Sequence, residues 1–171
     1  MPIPLVLALL VQAAPADSNP LARALAGEVQ CNVPDVEHKT CRSIASYQKR
    51  PDGSYDDAAV VAIAPQGPVL LETKTVVMVK GQAVCGTLTK ENLAAAKLRV
   101  AGQLLPDDQA APVLAQIQQA LAALMDKEIC STFVPEGDHL VAKSSVAGEY
   151  QAALDQPVQW VKPSDGYTVA P

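Results

Sequence analysis

Four cysteines, Cys31, Cys41, Cys85 and Cys130, stand ten, forty-four and forty-five positions apart, and that spacing narrows what the chain can become. No two form a C-x-x-C pair, so a thioredoxin-like redox centre lacks its defining interval. A zinc site lacks the paired short spacings on which it is built. An even number of widely spaced cysteines reads instead as a disulfide framework, which needs an oxidising compartment. Four cysteines allow three pairings. Proximity favours Cys31 with Cys41, which leaves Cys85 with Cys130. Both of the latter fall in segments read below as strands, and a sheet that makes those strands neighbours would bring the two sulfurs together.

The N-terminus points to the same compartment. Met1 to Ala16 has no charged side chain, holds the apolar run Leu5-Val6-Leu7-Ala8-Leu9-Leu10-Val11, and ends in Ala14-Pro15-Ala16. This is the pattern of a secretory signal peptide with an A-x-A site before Asp17, cleavage after Ala13 being the second option. The alternative, a buried helix, fits less well because Pro2 and Pro4 make a poor opening for one. The run is also far shorter than the roughly 20 apolar residues of a membrane span. Cys31 lies too far beyond it to be an acylated N-terminal cysteine. The expected organisation is a signal peptide over 1–16 and a single exported domain over 17–171, periplasmic or secreted, with no membrane attachment after the leader is removed.

Charge and aromatic content exclude one large class of partner. The net charge of −5 repels phosphate backbones. Four tyrosines, one phenylalanine and one tryptophan offer few stacking platforms for bases. The expectation is a monomer whose partner is a protein or a small molecule, not a nucleic acid.

Along the chain, Asn19 and Pro20 open a short helix carrying Leu21, Leu25 and Val29, and Cys31 then begins a polar loop to Cys41. From Ser43 to Leu88 the texture is β. Ser43–Lys49, Ala58–Ala64, Val69–Val79 and Ala83–Leu88 are apolar or β-branched runs separated by Pro- and Gly-containing turns, which reads as an antiparallel meander. Thr89 caps a helix reaching about Arg99. Val113, Leu114, Ile117, Leu121, Leu124 and Met125 recur at helical spacing, with Pro112 in the opening turn, and predict a long amphipathic helix on one face of the sheet. Ile129–Val134 and Leu140–Lys143 read as further strands. The predicted fold is α+β: an antiparallel sheet of about five or six strands packed against one long amphipathic helix and stapled by two disulfides.

Candidate chemistry is sparse. His38, in Asp35-Val36-Glu37-His38-Lys39, and His139, in Glu136-Gly137-Asp138-His139, are the available general bases or metal ligands, each beside carboxylates. Polar turns collect these residue types without any chemistry, and neither histidine has an H-x-x-x-H partner. Ser46-Tyr47-Gln48-Lys49 matches the S-x-x-K nucleophile motif, but it lies in a β run and its companion motifs are missing. Asp52-Gly53-Ser54-Tyr55-Asp56-Asp57 starts like a calcium loop, yet Asp57 occupies the place of the required glycine and Ile63 that of the closing glutamate. No dinucleotide, P-loop or other cofactor fingerprint is present. The leading expectation is a non-enzymatic binding or interaction module. The alternative is a small hydrolase or metal-dependent enzyme using His38 or His139, which would require the histidines to converge with each other or with acidic groups.

Overall fold

The computed structural model describes residues 19–64 and 69–171. The signal-peptide segment 1–16 and the Gln66-Gly67-Pro68 break lie outside them. After a single helical turn, α1 (Ala22–Leu25), come β1 (Val29–Asp35), β2 (Thr40–Lys49), β3 (Tyr55–Ala62), β4 (Val69–Lys80) and β5 (Ala83–Thr87). An excursion follows: α2 (Lys90–Ala94), β6 (Lys97–Val100), β7 (Gln103–Leu104) and α3 (Asp107–Ala120). The chain then returns through β8 (Glu128–Glu136), β9 (His139–Val146), β10 (Glu149–Tyr150), β11 (Gln156–Val161) and β12 (Thr168–Val169).

The α+β expectation is overturned. Eight strands close a ring, β1-β2-β3-β4-β5-β8-β9-β11 and back to β1, with every ring neighbour antiparallel. The fold is an up-and-down barrel. Two segments make the difference. The stretch read as the end of a helix and a polar loop is β1, and the C-terminal stretch left without an element contains β11. Their pairing, Val29↔Val161 through Asn32↔Val158, is the seam that closes the sheet. Closure removes the open edges that an exposed sheet must otherwise protect.

The helices are shorter than expected. The first spans only Ala22–Leu25. A reciprocal box between Thr89 and Asn92 caps α2, which stops at Ala94 so that Lys97–Val100 can pair with β4. α3 begins before Pro112, which therefore sits inside the helix, and it ends at Ala120, so Leu124 and Met125 lie beyond it. α3 meets the sheet at its β4–β6 end. Its Val113, Leu114 and Ile117 pack with Leu71 of β4 and Leu98 of β6, where the sheet splays away from the ring.

Register fixes what faces the lumen. Tyr47↔Asp57, Asp57↔Thr75, Tyr55↔Val77 and Val84↔Ser131 are cross-strand pairs, so period-two alternation puts all of these side chains on one face. α1 stops one end of the lumen. Leu21, completely buried, and Ala24 pack among Tyr55, Val77, Val84 and Trp160, with Tyr47, Phe133 and Leu140 around them. Trp160 makes an edge-on contact with Phe133, ring centres 5.6 Å apart, and a tilted one with Tyr47 at 6.2 Å.

Both disulfides lie on the barrel wall. Cys85 and Cys130 are direct cross-strand partners on β5 and β8, bonded to one another. Cys31 on β1 is bonded to Cys41 on β2, packed with Val161 and Ile44.

Candidate functional site

A barrel of eight strands has a lumen just wide enough to be filled by side chains or to hold one small ligand. Here the two halves of the lumen differ. The α1 end is packed with aromatic and aliphatic side chains. Above them lies a cavity of about 220 Å³ that reaches from Tyr47 and Phe133 to Thr87, Leu88 and Ile129, where the chain leaves and re-enters the barrel. Its space depends partly on Gly86: a β-carbon there would come within 2.9 Å of the Val77 side chain.

The cavity wall is unusually polar for a barrel interior. Gln30 is buried, donates from Nε2 to Asn32 Oδ1 at 2.7 Å, and accepts at Oε1 from the Tyr47 hydroxyl at 2.8 Å. Asn32 in turn donates to the Ser43 hydroxyl at 2.8 Å. On the opposite wall the Ser131 and Ser144 hydroxyls are 3.0 Å apart. Buried polar groups keep their partners because an unmade hydrogen bond in a low-dielectric interior is costly. One group breaks that rule. Asp57 Oδ1 is shielded from solvent and has no hydrogen-bond partner.

Among the described residues, Asp57 is also the only charged side chain lining the cavity. Burial pushes its carboxyl up to about 6, against which a hydrogen bond from Thr75 acts only weakly. Burial likewise raises the Tyr47 hydroxyl, and the facing Asp57 carboxylate adds to the effect. Neither residue stood out as a site in the sequence, although Asp56-Asp57 carried a signal. Consecutive strand residues point to opposite faces, so once β3 begins at Tyr55 one of the two aspartates must enter the lumen. Asp56 is the exposed one and lies 3.8 Å from Arg50.

The residues singled out from sequence lie elsewhere. His38 Nδ1 is 2.8 Å from Asp35 Oδ2 in the exposed β1–β2 turn. His139 Nδ1 is 3.1 Å from Asp138 Oδ1 in the exposed turn before β9. The His38 backbone N–H, then its imidazole, holds the Asp35 carboxyl below the ordinary range, and the His139 imidazole does the same for Asp138. Neither histidine lines the cavity. Among the described residues, the one group of three potential metal ligands is Cys85, Glu128 and Cys130, and its two sulfurs are already joined. Ser46 and Lys49 are three apart on β2, so the strand directs them to opposite faces, and the Ser46 hydroxyl donates instead to the Ala58 carbonyl. Asp52 accepts from the Ser54 backbone N–H and hydroxyl, closing the β2–β3 turn.

Among the described residues, no helix is long and apolar enough to cross a membrane. Comparison of the chain with protein-family models, with curated proteins and with solved structures finds no match.

Proposed function

We propose that the protein is an exported, non-enzymatic binding module that carries one small ligand in the upper lumen of its barrel. The observation behind this reading is the partition of the interior. Half is a packed core sealed by α1, and half is an unfilled cavity on whose wall one carboxylate oxygen, Asp57 Oδ1, lacks a hydrogen-bond partner. Ligand sites in general are concave, largely apolar, and marked by a few convergent polar groups and a perturbed carboxyl.

The two disulfides fit an oxidising environment. Together with the leader-like 1–16 segment, they support residence in the periplasm or outside the cell. The binding reading is preferred to the hydrolase alternative because His38 and His139 stand on separate exposed turns, each beside its own neighbouring carboxylate.

The lumen also supplies its own reporter. Trp160 is the single tryptophan, is buried, and contacts Tyr47 and Phe133, which line the cavity. Native mass spectrometry of the protein purified from its exporting host, followed by Trp160 emission during titration with whatever is released, tests the reading. A one-to-one complex whose ligand shifts Trp160 emission supports it. A ligand bound without any change at Trp160, and unaffected by narrowing the cavity at Gly86, would place binding outside the lumen.

A further inference from the structure

The chemistry of the lumen restricts what can occupy it. The proposal rests on the reading of the cavity as a ligand site and goes on to the charge of the ligand. We propose that the cavity takes a small organic cation, an amine or guanidine seated on the Asp57 carboxylate with its carbon skeleton against Tyr47 and Phe133.

Three observations carry this. First, the carboxylate is uncompensated. Among the described residues no Lys, Arg or His lines the cavity, and the half-buried Asp57 side chain on its wall has one oxygen, Oδ1, without a hydrogen-bond partner. A buried charge left unpaired is among the most costly arrangements in a protein, and a ligand that supplies the opposite charge with an N–H donor removes that cost. Second, the remaining wall suits a cation. The Thr75 and Ser131 hydroxyls can accept hydrogen bonds, and the Tyr47 and Phe133 rings offer negative faces. Third, the alternatives fit badly. An anion meets a carboxylate with nothing to offset the repulsion. A divalent metal ion needs several oxygen or nitrogen ligands, and the cavity has one carboxylate with no other acidic or histidine side chain beside it.

Binding of such a cation requires ionised Asp57, so it weakens in acid. The groups facing Asp57 are Tyr47 from β2 and Thr75 from β4, with Gln30 and Ser131 across the lumen. Of these only Tyr47 titrates, and it stays protonated well above neutrality. With the Asp57 carboxyl near 6, affinity at pH 5 falls about tenfold below its value at pH 7.5.

The test uses matched probes of one size: butylammonium, butanol and butyrate, each titrated at up to millimolar concentration into the full chain and read by Trp160 emission and calorimetry. The expected result is binding of butylammonium in preference to the other two, weakening about tenfold from pH 7.5 to pH 5, and lost in Asp57→Asn. The same variant should retain its disulfides and cooperative unfolding. Butanol or butyrate binding more tightly than butylammonium would overturn the cation assignment while leaving the cavity as a ligand site. Equal amine affinity in Asp57→Asn and the wild type, or amine binding without pH dependence in the wild type, would overturn it as well. Failure of all three probes would overturn the cation assignment, while the ligand-site reading stands or falls with the native mass spectrometry.

Discussion

At the scale of single residues, Asp57 is the group that works against the stability of the fold. Its carboxyl ionises near 3.8 in an unfolded chain and near 6 in the barrel, so the folded state holds the proton more tightly. Stability therefore falls as pH rises through that interval, by an amount on the order of 3 kcal/mol when complete. Below the unfolded value both states are protonated and the penalty vanishes. Asn at this position keeps the shape and an acceptor for Thr75 without the charge. Asp57→Asn is accordingly expected to raise the melting temperature at pH 7.5, with the gain disappearing as pH approaches 3.8. Thermal unfolding of both proteins across that range checks this, and a variant less stable than wild type at pH 7.5 would refute the assigned burial cost. A substitution that stabilises the protein while abolishing ligand binding is the expected mark of a functional group held in a strained setting. Tyr47 makes the complementary case. Its hydroxyl satisfies Gln30, so Tyr47→Phe should cost about 1 kcal/mol in chemical denaturation, from one lost hydrogen bond with the ring packing kept.

At the scale of elements, the legible parts were those whose patterns are local. β2 to β5, β8 and β9 announced themselves through β-branched runs between turns, and each begins or ends within a few residues of its expected place. β1 and β11 did not. The lumen face of β1 carries Gln30 and Asn32 in place of aliphatic residues, which erases the alternation by which a half-buried strand is recognised, and β11 offers only Val158 and Trp160 on that face, after Gln156. For β1 the miss and the cavity share a cause: Gln30, an inward position on the cavity wall, does not look like core. The helix that looked most informative misled for the opposite reason. α3 has a genuine apolar stripe, but a stripe says only that something covers it, and here Leu71 of β4 and Leu98 of β6 do so, in a cluster separate from the one beneath α1. Strand neighbours also set what each disulfide does. Cys85–Cys130 joins ring neighbours across the excursion containing α2 and α3, closing 45 residues, whereas Cys31–Cys41 closes 10. In the loop-entropy description the longer closure contributes about 4 kcal/mol and the shorter about 3 kcal/mol. The Cys85→Ser/Cys130→Ser variant should therefore lose more stability in guanidinium unfolding than Cys31→Ser/Cys41→Ser. The reverse order would mean that packing of Cys31 and Cys41 against Val161 outweighs chain entropy.

At the scale of the whole molecule, the barrel is a vessel stopped at one end, and α1 is the stopper. That short helix has too few residues to be stable alone, so it is held by what it buries. Leu21 is inserted completely among Tyr55, Val77, Val84 and Trp160. Asn19 pins the entry by donating to the Tyr55 hydroxyl at 2.9 Å and accepting from the Leu21 backbone N–H at 3.0 Å. Truncating Leu21 removes the largest part of the stopper, whereas truncating Leu98, equally buried, perturbs the separate cluster with α3. Each change to Ala should cost about 2–5 kcal/mol, as for other fully buried leucines. Their native states should differ. In Leu21→Ala, water reaches Trp160 from the stoppered end, and its emission shifts to longer wavelength and becomes open to a neutral quencher. In Leu98→Ala the emission stays as in the wild type despite a similar loss of stability. If Leu98→Ala changed Trp160 as much as Leu21→Ala, the two hydrophobic clusters would form one continuous core, and the lumen would not be closed by α1 alone.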